Sequence, residues 1–166
     1  MLPGAARGVL MADDAQKQRA YTAILEHFIE HGRAPHYTEL AGTLSLTPDE
    51  TRALLPEAAA AGVGCWISHD TDYVASWAPF SNIPTQYLVS VDGEQKWYGQ
   101  CGVEALAVRW LFPSREVRLD VRCLDCGEPM LVRFRDDEIV ELDPPGIVGH
   151  VNIPLPRWGE VSLAFN

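Results

Sequence analysis

Cys101 and Glu104 stand three residues apart in the segment Cys101-Gly-Val-Glu104-Ala-Leu. If that segment is helical, the thiol and the carboxyl share one face. Such a pair has a definite chemistry. Sulfur can bind a soft metal or attack carbon, and a carboxylic acid can deliver a proton. Cys101 falls where a strand should hand over to a helix, so backbone N–H groups are expected to stabilise its thiolate and lower its pKa. The competing reading is structural: cysteine is often a small buried hydrophobe, and glutamate is common in a first helical turn.

A second thiol motif is Cys123-Leu-Asp-Cys126-Gly127, a CxxC on an expected turn between two strands. Alone it is half a metal site or a redox pair. A closed zinc site needs two further ligands, for which Cys65, Cys101 or His150 would have to converge. A thioredoxin-like motif should open a helix, whereas this one sits in β context with Asp125 inside. Cys101, Cys123 and Cys126 are therefore the candidate metal ligands, against a reading of Cys123 and Cys126 as two structural thiols. The histidines His27, His31, His36, His69 and His150 form no HExxH or HxH pattern and read as surface or boundary residues. There is no P-loop, dinucleotide fingerprint or GxSxG.

The elements that must position these residues follow from periodicity. Tyr21, Ile24, Leu25, Phe28 and Ile29 make one apolar face of a helix from Asp13 to His31, ended by Gly32. A short helix is expected over Thr38 to Leu44. Thr47-Pro48-Asp49-Glu50 is a capping box opening a third helix to Ala61, with Pro56 inside it. Three helices followed by the alternating residues 64–68 and 73–75 give a winged-helix pattern. Residues 76–86 read as a connector. Asp92-Gly93 centres a hairpin over 86–98, and a helix from Cys101 to Leu111 follows, ended by Pro113. Strands are expected over Glu116–Cys123, Pro129–Arg135, Ile139–Leu142 and Gly149–Ile153. The tryptophans read as core and interface fillers. The fold class is thus α+β: an N-terminal winged-helix-like helical subdomain (13–76) after a disordered leader (1–12), then a mainly antiparallel β-sheet domain with one central helix (77–166).

Composition narrows the partners. The 166 residues carry a formal charge of −10. Residues 13–62 hold four Lys/Arg against eight Asp/Glu, the wrong balance for phosphate contacts, so no nucleic-acid partner is expected. No apolar run approaches the roughly 20 residues of a membrane span. Without a convincing signal peptide, the four cysteines suit a cytoplasmic protein whose thiols bind metal, catalyse or are buried.

Trp97-Tyr-Gly-Gln-Cys101-Gly-Val-Glu104-Ala-Leu resembles the segment of organomercurial (alkylmercury) lyases in which an aromatic pair precedes the first catalytic cysteine. Further matches follow in order from about residue 20: Gly32-Arg33-Ala34-Pro35, Leu40-Ala41, Thr47-Pro48-Asp49-Glu50, Phe112-Pro113, Val121-Arg-Cys123, Cys126-Gly127-Glu128-Pro129, Val140-Glu-Leu-Asp-Pro144 and Ile153-Pro154. The resemblance implies cleavage of carbon–mercury bonds with no added cofactor. Two thiolates hold mercury and an Asp protonates the leaving carbon. Mapped here, Cys101 is the first thiolate, Glu104 takes the Asp position and Cys123 that of a structural cysteine. The implied ligand is a small organomercurial or another soft metal species, with low-molecular-weight thiols as co-reactants.

Two departures accompany the match. Glutamate replaces the family's Asp. The second catalytic cysteine would fall in Glu160-Val-Ser-Leu-Ala-Phe-Asn166, which contains none, and the C-terminal helix of the family has no counterpart. A truncated chain and a partly lost site both fit these departures. Two alternatives to a lyase therefore stand: a non-lytic thiol or soft-metal-binding protein of the same fold, and a winged-helix thiol-sensing regulator.

Overall fold

The computed structural model describes residues 12–150. The expected leader apart from Ala12, most of the expected strand Gly149–Ile153, and the segment 160–166 lie outside the described residues. Gly149 and His150 themselves are not in a strand.

The N-terminal part is three helices, α1 (Asp14–His31), α2 (Tyr37–Leu44) and α3 (Pro48–Ala61). Each begins with a reciprocal cap, from Asp13 and Gln16, His36 and Glu39, and Thr47 and Glu50. These caps satisfy backbone donors that have no partner within the helix. Helix α1 buries Ala20, Ile24 and Phe28, with Tyr21, Leu25 and Ile29 packed partly against the core. Helix α3 runs on through Pro56. Its one basic residue, Arg52, is paired with Asp72 at 2.7 Å, so the helix offers no free cation.

Among the described residues, eight strands form one antiparallel sheet: β1 (Cys65–Ile67), β2 (Val74–Trp77), β3 (Phe80–Ser81), β4 (Leu88–Val91), β5 (Glu94–Gly99), β6 (Glu116–Arg122), β7 (Pro129–Arg135) and β8 (Glu138–Asp143). Their order across the sheet is β1-β2-β3-β5-β4-β6-β7-β8. The hairpin after α3 is therefore one edge of the main sheet. The α+β class stands.

Three expectations need correction. Residues 76–86 are more than a connector, because Trp77 ends β2 and Phe80 opens β3, both with no exposed surface. The helix after Cys101 is only α4 (Gly102–Ala107), followed by a 3₁₀ turn at Val108–Leu111. Pro113 disfavours a helical residue before it, and Phe112 leaves the helical path to meet the Trp97 ring at 5.0 Å. Trp110 is 65% exposed and fills no core.

Helix α1 docks on the sheet through side-chain donors as well as apolar contact. The Trp77 indole donates to the Tyr21 carbonyl at 3.2 Å, and the Trp97 indole to the Phe28 carbonyl at 2.8 Å. Gly32, in the left-handed conformation that ends α1, lies so close to Lys96 that a Cβ there would stand 2.6 Å from the Lys96 carbonyl oxygen. Glycine is needed here for both its φ and its size. A single core results, in which Phe28 stacks on Phe80 and is buried together with Val89, Trp97 and Val117.

Candidate active site

Cys101 lies just beyond the end of β5, in extended backbone, and is the N-cap of α4. Its sulfur accepts the Glu104 backbone N–H at 3.5 Å. The short helix sits tightly on the strand: a Cβ at Gly99 would stand 2.5 Å from the Ala105 Cβ, so only glycine lets α4 approach. Cys101 is buried at 9% exposure. The Glu104 side chain turns back to the thiol, within hydrogen-bonding reach of it. The expected pair on one face is thus in place.

Its electrostatics differ from expectation. Burial pushes the Cys101 thiol up to about 11, outweighing the Glu104 and Val103 backbone N–H groups that favour thiolate, and the Glu104 charge adds to the rise. The lowered thiol pKa expected from the helix start does not occur, because desolvation exceeds what a six-residue helix supplies. Burial likewise raises the Glu104 carboxyl to about 7, partly offset by its bond to Cys101. Near neutral pH the site therefore holds a protonated thiol and a carboxyl that carries its proton for a substantial fraction of the time.

The surroundings of Glu104 were not visible in the sequence. Gly64, with φ +73°, faces the carboxyl; a Cβ there would stand 2.8 Å from Glu104 Oε1 and 3.3 Å from Gln100 Oε1. Gln100 is 7% exposed, and neither of its side-chain amide atoms has a hydrogen-bond partner. Glu104 Oε2 is buried and also unpartnered. Cys65 follows Gly64 and is buried; burial raises its thiol to about 12, with the Glu104 charge contributing. The same charge, after burial and Cys65, raises Tyr21 of α1. Buried polar groups are normally satisfied, and the three unpartnered atoms of Gln100 and Glu104 are an exception to that rule in the residues around Cys101. A signal for Gly64 existed only as a glycine at a strand start; nothing local pointed to Gln100. A groove of about 370 Å³ between α1 and α3 is lined by Tyr21 and Gly62 but by neither Cys101 nor Glu104.

Gly64→Ala is expected to push the carboxyl off its position and to impose left-handed strain of roughly 1–2 kcal/mol. A thermal melt should show the midpoint lowered by a few degrees, on the order of 2–4 °C per kcal/mol. An unchanged melt would show that the close approach is not needed.

The sequence profile of the alkylmercury lyase family matches residues 80–165, just over half of the chain and the part that carries Cys101 and Glu104. The chain belongs to the alkylmercury lyase family. The helical N-terminal part precedes the segment matched by the alkylmercury lyase profile. A solved structure described as the mercury-bound form of MerB2 is similar in fold, with a TM-score of 0.59 and 17% identity over 81% of this chain. The chain spans 63% of the length of that structure. No curated protein matches.

The other candidate metal ligands of this alkylmercury lyase family member are not gathered at Cys101. Cys123 and Cys126 occupy the turn between β6 and β7, Cys126 exposed and Cys123 partly so. Among the described residues, no group of three or more His, Cys, Asp or Glu side chains could hold a metal ion. The expected set of Cys101, Cys123 and Cys126 therefore does not form one site. No described helix is long and apolar enough to cross a membrane.

Proposed function

We propose that the chain cleaves carbon–mercury bonds at Cys101, with Glu104 as the acid. The observation that carries this reading is the Glu104 carboxyl, raised to about 7 by burial and held against the Cys101 thiol. A general acid works best with a pKa near the working pH. Mercury is soft, and thiolate is the side chain it prefers.

Cys101 gives its proton to the leaving group X of R–Hg–X as sulfur bonds to mercury, leaving Cys101–S–Hg–R and HX. The Glu104 acid then protonates carbon. The electron pair of the C–Hg bond becomes the new C–H bond, and R–H departs. A low-molecular-weight thiol supplies the second sulfur to mercury and returns its proton to the Glu104 carboxylate. The balance is one R–H, one HX and Cys101–S–Hg–SR′ per organomercurial. No other cofactor enters. The MerB2 structure is described as mercury-bound, which suits a mercury ligand here.

The test is incubation of the full chain with phenylmercury and excess thiol, with benzene measured by gas chromatography. Benzene above the thiol-only control is expected; none would overturn the reading. The non-lytic alternative draws support from Glu104 at the family's Asp position and from the cysteine-free segment 160–166. Stoichiometric mercury binding by mass spectrometry without benzene would favour it.

A further inference from the structure

The Cys123–Cys126 turn has no part in the reaction just described, yet it is built as a chelate. Strands β6 and β7 are paired through Arg122 and Pro129. Beyond that pair the backbone closes on itself: the Cys123 N–H donates to the Glu128 carbonyl, and the Gly127 N–H to the Cys123 carbonyl, both at 2.9 Å. Gly127 takes φ +75°, which a side chain would resist. The Arg122 guanidinium donates to the Gly127 carbonyl at 3.1 Å and braces the turn from outside. Cys123 and Cys126 stand at either end of this closed turn, three residues apart. One hydrogen-bonded turn thus carries two thiols, both free of disulfide and reachable from the surface. Asp125 adds a negative charge between them in sequence. Leu124, at the tip, is 67% exposed, so nothing described covers the turn.

We propose that Cys123 and Cys126 form a second, surface-accessible site that holds one soft, two-coordinate d¹⁰ cation between two thiolates, independently of Cys101. The ligand count selects the ion. Zinc wants four ligands in a closed structural site, and no third described side chain joins the pair. A cation satisfied by two sulfurs needs nothing more. Each thiol releases one proton on binding, so M²⁺ is taken up as S–M–S with loss of two protons.

The sheet also puts the turn within the neighbourhood of the reaction. Strands β5 and β6 both pair antiparallel with β4 and so run the same way. Cys101 and Cys123 follow the same ends of those strands, which lie two strand spacings, roughly 10 Å, apart. Use of mercuric ion as the natural cargo rests on the proposed reaction. If that reaction holds, thiol exchange balances without any redox step: Cys101–S–Hg–SR′ and two thiols give Cys123–S–Hg–S–Cys126, Cys101–SH and R′SH. The site then empties Cys101 for another cycle.

The experiment uses reduced full-length Cys101→Ser protein, so that failure of the lyase reading leaves the outcome untouched. Mercuric chloride is titrated against a monothiol competitor such as glutathione, and bound metal is counted by native mass spectrometry. One equivalent should survive the competitor. Tethering the two thiols raises their effective concentration, so Cys126→Ser on this background should weaken retention by about 10²–10⁴-fold. Both thiols are at the surface, and unchanged circular dichroism and melting would show that the variants remain folded. Retention unchanged in Cys126→Ser, or an equivalent that persists when Cys123 and Cys126 are both serine, would overturn the proposal. Loss of the equivalent to glutathione already in the Cys101→Ser protein would overturn it as well.

Discussion

Cys101→Ser is expected to reduce benzene release from phenylmercury by on the order of 10³-fold or more, as loss of a residue that bonds to the reacting atom generally does. The reason is the element rather than the shape. Serine oxygen is a hard, weakly acidic donor, and mercury captured by a thiolate in the wild type would stay on the competing small thiols. The substitution is also clean. Cys101 caps α4 by accepting the Glu104 N–H, and serine is a better N-cap than cysteine. A folded Cys101→Ser protein with an unaltered melt and no turnover would therefore separate chemistry from stability. Turnover at the wild-type rate would remove Cys101 from the reaction.

Glu104→Gln should lower turnover by about 10²–10⁴-fold, the usual contribution of a positioned general acid. Its shape is close to that of glutamic acid, but its amide cannot deliver the proton. The same substitution has a consequence for the metal-free protein. The Glu104 carboxyl binds its proton up to about pH 7 when folded, against an ordinary value near 4.3 when unfolded. Between those values the folded state holds more protons, so stability falls as pH rises through that window. Below it both states are protonated and the cost vanishes; above it the cost levels at about 4 kcal/mol as an upper figure. Melts of wild type and Glu104→Gln, compared at pH 4 and pH 8, should show the variant gaining on the wild type at the higher pH. A difference that stays constant with pH would mean that burial does not penalise this carboxylate.

Much of the scaffold could be read directly. Asp13, Thr47 and Gly32 mark helix ends by chemistry that acts within a few residues, and the structure uses each of them as a cap. Asp92-Gly93 turned the chain between β4 and β5 for the same local reason. The misreadings concern contacts made across the chain. Phe80 and Ser81 form too short a strand to alternate, and they pair only because β2 and β5 lie on either side. The expected helix from Cys101 to Leu111 gives way to a 3₁₀ turn after Ala107, where Phe112 packs on Trp97 across the chain. At the site, the Cys101–Glu104 pair was legible because three residues on a helix share a face. The unpartnered amide of Gln100 and the space left by Gly64 were not, since they depend on β1 coming to face α4. The thiol pKa failed for a related reason. The backbone N–H groups are local, but the burial that outweighs them is made by the whole fold.

The indoles of Trp77 and Trp97, which donate to carbonyls of α1, have a consequence for how the protein opens. Loosening α1 strands two buried indole donors, and loosening the strands it packs on removes the stacking of Phe80 on Phe28. Neither can exchange its amide protons with solvent by itself at low cost. Helix α1 and strands β2 and β5 therefore belong to one cooperative opening unit, a foldon that spans the first and the second half of the chain. Because β5 leads into Cys101, the protection of a distant helix and the placement of the Cys101 thiol are governed by the same opening equilibrium.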